Sequence, residues 1–194
     1  PPRSTLFPTR RSSDLAISYD GITFVTTSVL SGTCSDNTYS NTNLTYSYNL
    51  ETETLTFSGS GDMSSIPWEK IKAAIETVSF AGTDAKTSVS TSAFELCTNL
   101  ENVNLNNVYA IGWGAFGRCY ALKSVEFDSK LTDIWDYAFS ECTSLDHAVF
   151  NEGTQDLHIH HHACNLCSGT TYWLNLPANT KYVDDYAFWG TNIA

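Results

Sequence analysis

The stretch His158-Ile159-His160-His161-His162-Ala163-Cys164-Asn165-Leu166-Cys167 puts four histidines and two cysteines within ten residues. Neutral imidazoles and thiolates are the donors zinc prefers, and a closed site uses four of them. His160, His162, Cys164 and Cys167 are the set such a site would draw on. Only one Cys-x-x-Cys is present, no second pair completes a tetrahedron, and Cys167 falls on a repeat position described below. The run is therefore read as a histidine-rich turn facing solvent, with metal binding as the rival reading and no cofactor expected.

The other chemistry-bearing residues are similarly explained by pattern. Six cysteines would suit a disulfide framework, but Cys97, Cys119 and Cys142 recur at the same place in successive repeats. Three equivalent positions cannot pair without a remainder, so they are read as buried free thiols; Cys34 is unassigned. Asp128, Asp133, Asp136, Glu141, Asp184 and Asp185 occupy polar repeat positions and read as a solvated face, not as a carboxylate pair for glycoside cleavage. The chain has no phosphate-binding loop, dinucleotide glycine pattern or Gly-x-Ser-x-Gly elbow. No catalytic residue is assigned, and the chain is read as a non-enzyme.

What positions these residues is an internal repeat. Ala93-Phe94, Cys97, Leu100, Val103 and Leu105 are matched by Ala115-Phe116, Cys119, Leu122, Val125 and Phe127, then by Ala138-Phe139, Cys142, Leu145, Ala148 and Phe150. A fourth copy, Ala163-Cys164 with Cys167, has Cys in place of Phe and is expected to bulge; a fifth starts at Ala187-Phe188. The anchoring alanines are 22, 23, 25 and 24 residues apart. Each copy carries a short strand, such as Val103-Asn104-Leu105, whose alternate residues face a core that one copy cannot close. Stacked copies pair these strands into a parallel sheet and align Ala, Phe, Cys and Leu as internal columns. Ile111 and Ile134 supply a second apolar contact on the far side of the coil.

Between the buried positions, Asn102, Asn104, Ser124, Glu126, His147 and Val149 are expected to project from a concave sheet, the face that solenoids offer to partners. Trp113, Tyr120, Trp135 and Trp189 lie off the columns and are the candidate aromatic anchors of an interface.

The run Ile111-Gly112 through Ala115-Phe116, Cys119 and Leu122 resembles the BspA-like leucine-rich repeats of bacterial and protist surface proteins. The segments Ser31-Gly32-Thr33-Cys34, Leu55 to Met63, Pro67-Trp68 and Ile75 to Val78 resemble the lead-in region found before such repeats. The resemblance implies a leucine-rich-repeat solenoid, mainly β with short turns and helical segments. It also implies an extracellular, cell-surface, adhesin-like module that binds proteins or glycans, host extracellular glycoproteins included. The alternative is an accessory or spacer repeat domain of a larger surface enzyme whose catalytic domain lies elsewhere.

Three segments are expected. Pro1 to Leu15 reads as translated sequencing adapter and is set aside as non-native. Residues 16–80 form an N-terminal cap. In it Leu44, Tyr46 and Tyr48 alternate, as do Leu55 and Phe57 across a polar turn, which is hairpin patterning. Ser64, Ser65 and Pro67 then precede Trp68, Ile71, Ala74, Ile75 and Val78 at helical spacing, which predicts a short amphipathic helix, and a first strand follows. Residues 81–194 hold about five repeats, the last truncated. The sequence is read as a fragment, with export signal and anchor outside it.

Composition agrees with a strand-and-turn domain: 42% of residues are hydrophobic and only 16% charged. The formal charge of −11 repels phosphate backbones and anionic lipid headgroups, so neither nucleic acid nor a membrane surface is expected as partner.

Overall fold

The computed structural model describes residues 29–35, 43–83, 86–169 and 173–191. The stretch read as adapter lies outside the described residues. The chain opens with β1 (Val29–Thr33), β2 (Thr45–Asn49) and β3 (Thr54–Gly59), followed by a 3-10 helix over Glu69–Ala74. Five strand pairs follow, one per coil: β4 (Thr77–Thr83) with β5 (Thr87–Val89), β6 (Asn102–Leu105) with β7 (Val108–Ile111), β8 (Ser124–Phe127) with β9 (Asp133–Ile134), β10 (His147–Phe150) with β11 (Leu157–Ile159), and β12 (Trp173–Asn175) with β13 (Thr180–Val183). The first member of each pair joins an eight-stranded sheet ordered β1-β2-β3-β4-β6-β8-β10-β12, and the second joins a five-stranded sheet ordered β13-β11-β9-β7-β5. The described residues thus form a parallel β-solenoid with almost no helix, the leucine-rich-repeat architecture.

The core lies between the two sheets and is built from columns. Phe94, Phe116 and Phe139 stack with ring centroids 5.0 and 5.1 Å apart and planes within 13° of parallel. Ala93, Ala115, Ala138 and Ala163 sit beside them, and Cys97, Cys119, Cys142 and Cys167 form the next column; all are fully buried. A small residue is needed at the Ala position because the backbones of neighbouring coils meet there: the amides of Phe94, Phe116 and Phe139 each donate to the carbonyl of the next coil's alanine at 2.7 Å. The cysteine column carries a second ladder, in which the thiols of Cys119, Cys142 and Cys167 donate to the carbonyls of Phe94, Phe116 and Phe139 at 3.1 to 3.2 Å. In the fifth coil the Thr191 hydroxyl takes the same role toward Cys164 at 2.8 Å. Burying each ring stabilises the fold by about 1.5–3 kcal/mol, and the repeat multiplies that gain coil by coil.

The coil that carries Cys164 in the Phe place does not bulge at that point. The Cys164 amide still donates to Ala187 at 2.8 Å, because the ladder depends on backbone, not on the ring. A register shift between Leu157 and His158 in the β11–β13 pairing is not peculiar to this coil, since β5–β7 has one between Thr87 and Ser88.

The N-terminal region is an antiparallel hairpin, as the alternation predicts: Tyr46 pairs with Phe57 and Tyr48 with Leu55. It prolongs the large sheet edgewise, with β3 running parallel to β4. The amphipathic helix is corrected by the structure to a six-residue 3-10 helix that buries none of its own residues fully. Two elements were superposed in the apparent helical stripe. Trp68 and Ile75 are buried just outside the helix ends, Ile71 and Ala74 are half-buried, and Val78 belongs to β4.

Candidate functional site

The turn that carries each Ala-Phe pair has a fixed backbone. The residue before Ala and the residue two after Phe take positive φ in every coil: Ser92 and Leu96, Gly114 and Arg118, Tyr137 and Glu141, His162 and Leu166, Tyr186 and Gly190. This left-handed geometry turns those side chains outward. In the last three coils the first of the two positions holds a ring, and Tyr137, His162 and Tyr186 stack at 5.0 and 5.2 Å with planes within 8° of parallel. Trp113 meets Tyr137 edge to face at 5.8 Å. The two rings line a shallow cleft of about 240 Å³ with Gly114, Arg118, Glu95 and Glu141. Across it the Arg118 guanidinium reaches Glu95 at 3.4 Å and Glu141 at 3.2 Å.

Beside this column, the five-stranded sheet brings its own side chains into rows. His158 on β11 faces Asp133 on β9 in register, and His160, immediately past the end of β11, keeps the alternation that puts it on the same side as His158. Their rings stack at 3.8 Å, and Trp135 lies on His160 at 4.1 Å. His158 Nε2 is 2.9 Å from Asp184 Oδ1, and His160 Nε2 is 3.3 Å from Asp133 Oδ1. The hydrogen bond from His158 holds the Asp184 carboxyl below the usual carboxylate range, helped by the charges of His158, His161 and His160.

Among the residues singled out from sequence, Ala93, Phe94, Cys97, Leu100, Ala115, Phe116, Cys119, Leu122, Ala138, Phe139, Cys142, Leu145 and Ala187 are buried, with Phe188 half-buried. Asn102, Ser124 and His147 lie side by side across β6, β8 and β10, and so do Asn104, Glu126 and Val149. Several are engaged locally: Asn104 Oδ1 accepts from the Asn106 amide, and Glu126 Oε1 accepts from Asn151 Nδ2. Trp113, Tyr120, Trp135 and Trp189 are exposed, at 48%, 40%, 45% and 56%. They divide between the cleft, the His160 stack and separate turns. The set His160, His162, Cys164 and Cys167 is not brought together. Both thiols are buried, burial pushes Cys164 up and a hydrogen bond with Cys142 pushes Cys167 up, while His162 stacks outside between two tyrosines. Among the described residues, the group whose donor atoms lie within 4.8 Å of one another is Asp133, His158 and His160.

Sequence reasoning missed Tyr137, Tyr182 and Tyr186 as surface aromatics. The signal available was a ring immediately before the anchoring alanine in three successive copies, Tyr137, His162 and Tyr186.

Comparison with known proteins gives one family and one structure. The family model for the BspA type leucine rich repeat region matches residues 72–194 in six copies. A crystal structure of a leucine-rich repeat protein from Eubacterium ventriosum is 22% identical with a TM-score of 0.49; the match covers 84% of this chain and 36% of that one. The chain thus spans little more than a third of that protein's length. No curated protein matches.

Proposed function

The chain belongs to the BspA-type leucine-rich repeat family, and from that premise we propose that it is a binding module of the cell surface, adhesin-like, recognising an extracellular protein or its glycans. Repeats of this family and fold are generally non-catalytic. The observation that carries the reading is the exposed aromatic face on the Ala-Phe turns, with Trp113 and Tyr137 walling a cleft that Arg118 and two glutamates edge. Exposed rings at a rigid, repeated spacing are interface anchors, since they cover large area at little loss of side-chain freedom. Aromatic faces flanked by carboxylates and a guanidinium also suit sugar rings, which stack on one surface and hydrogen-bond at the edge.

The second candidate face is the outer side of the large sheet, with Asn102, Asn104, Ser124, Glu126, His147 and Val149. Its short polar side chains offer hydrogen bonds but few anchors. Among the described residues no helix is long and apolar enough to cross a membrane.

The test is binding of the immobilised chain to a panel of extracellular-matrix glycoproteins, each with and without enzymatic removal of its glycans. Trp113→Ala with Tyr137→Ala should weaken binding at least tenfold, while Asn104→Ala with Glu126→Ala leaves it unchanged. The reverse order moves the site to the sheet face; no binding to any member of the panel overturns the proposal. Sequencing the source gene beyond both ends tests the surface assignment, which fails if the full frame has no export signal.

A further inference from the structure

We propose that Asp133, His158 and His160, backed by Asp184, form a binding site for a single zinc-type divalent cation. The site is separate from the aromatic cleft and is assembled by three successive coils. β9 supplies Asp133, β11 supplies His158, and His160 and Asp184 follow directly on β11 and β13. Asp184 is fixed there by its own amide, which donates to the Ile159 carbonyl between the two histidines at 2.9 Å.

The donor chemistry fits. Two imidazoles and a carboxylate are a borderline-soft set that selects zinc or a neighbouring transition metal over calcium or magnesium, which take oxygens. The spacing fits as well. One donor atom from each of the three residues lies within 4.8 Å of the others. The contact between His160 Nε2 and Asp133 Oδ1 is 3.3 Å, longer than the ~2.7–2.9 Å of a charge-assisted hydrogen bond. It matches the edge of a tetrahedron, about 3.3 Å, whose ligands stand ~2.0–2.1 Å from a central zinc.

The surroundings supply what a metal site needs beyond its ligands. Asp184 Oδ1 lies 2.9 Å from His158 Nε2, the carboxylate–histidine contact that fixes a ligating imidazole's tautomer and orientation. Its second oxygen is 3.7 Å from His160 Nδ1 and 4.0 Å from His161 Nε2. The Trp135 ring covers one face of His160, whose side chain is only 12% exposed. No lysine or arginine is paired with any of these carboxylates in the described contacts, so their negative charge is available to a cation. The cysteines of the histidine run stay inside the core, so the site uses the alternate histidines at the end of β11 together with carboxylates about one coil away in either direction.

The experiment uses the whole chain, freed of any histidine tag and treated with chelator, and titrates zinc chloride by calorimetry and thermal unfolding. One zinc per chain is expected, with a rise in the unfolding midpoint that chelator reverses. His158→Ala with His160→Ala should abolish both. Asp184→Asn should keep the fold and weaken binding about ten- to a hundredfold, the usual effect of removing an orienting partner. Copper or cobalt should quench fluorescence through the ring stacked on His160, and Trp135→Phe should remove most of that quenching while zinc still binds. No zinc-dependent shift in the parent chain overturns the proposal, and so does a shift undiminished in the double variant when the metal-free variant unfolds at the parent's temperature. If the double variant does not fold, the decision passes to Asp184→Asn: unchanged affinity overturns the assignment.

Discussion

The indole Nε1 of Trp68 donates to the carbonyl of Ala93 at 2.9 Å, the place that a backbone amide from the preceding coil fills for every later alanine, phenylalanine for Ala115, Ala138 and Ala163 and Cys164 for Ala187. Trp68 also continues the ring column, stacking on Phe94 at 5.5 Å and 12°. One residue therefore ends both ladders: its ring closes the aromatic stack, and its N–H satisfies the carbonyl that has no preceding Phe to pair with. Trp68→Phe keeps a ring in the stack but orphans a buried acceptor, which costs about 1–3 kcal/mol. Trp68→Ala also opens a cavity and should cost about 3–5 kcal/mol. Urea unfolding midpoints rank the two; no loss in Trp68→Phe would mean that the hydrogen bond contributes nothing, and equal losses would mean that the ring adds nothing beyond it.

All six cysteines are free and buried. Burial pushes the thiols of Cys34 and Cys97 up to about 12 and Cys142 well above its ordinary value. Thiolate is the reactive form, so these sulfurs are protected by access and by protonation together. At pH 8 an aromatic disulfide reagent should label the native chain slowly if at all, and label six thiols once denaturant is added. Rapid labelling of native protein at Cys119 or Cys142 would show that the coils open there.

Much of this architecture was legible because the repeat forces one residue type into each column. Ala, Phe, Cys and Leu could be aligned by eye, and the hairpin announced itself by alternation. The five-stranded sheet was not legible, since its strands run to only two to four residues and show in sequence as single apolar contacts such as Ile111 and Ile134. The histidine run illustrates the same limit at the site. Read along the chain it suggested thiol ligands, but the turn after β11 buries Cys164 and Cys167 in the core, and the partners of His158 and His160 lie about 25 residues away on either side. Trp68 was legible as a helix position and not as the end of the Phe column, because no spacing rule connects it to Ala93.

Glu53 and Glu76 meet where the hairpin hands over to the first coil, and the Glu53 carbonyl accepts from the amides of both Glu76 and Thr77. The hydrogen bond with Glu76 holds the Glu53 carboxyl above its ordinary 4.5, with desolvation and the Glu76 charge adding to it. A carboxyl raised in the folded state contributes stability that is fully present below its unfolded value and is lost as pH rises through its folded value. Glu53→Gln should therefore unfold at higher denaturant than the parent at pH 7 and with it at pH 4. A gap that persists unchanged at pH 4 would trace the effect to something other than ionisation.

The left-handed turn positions allow the backbone cost of the repeat to be measured directly. Leu96 has φ of 64° and is 48% exposed, while the equivalent position of the fifth coil is Gly190 at 69°. An L-residue there costs roughly 1–2 kcal/mol, and glycine returns part of that through its greater loss of freedom on folding. Leu96→Gly should therefore stabilise the chain by about 0.5–1 kcal/mol, unusual for the removal of a whole leucine side chain. Gly114 provides the mirror experiment. Its φ is 58°, and a Cβ would meet nothing nearer than Ser92 Oγ at 3.6 Å, so Gly114→Ala adds backbone strain without a clash and should destabilise by about 1 kcal/mol. Opposite signs from the two variants in urea unfolding would assign the effect to backbone conformation. A loss of stability in both would mean that Leu96 packs against its neighbours strongly enough to outweigh the strain.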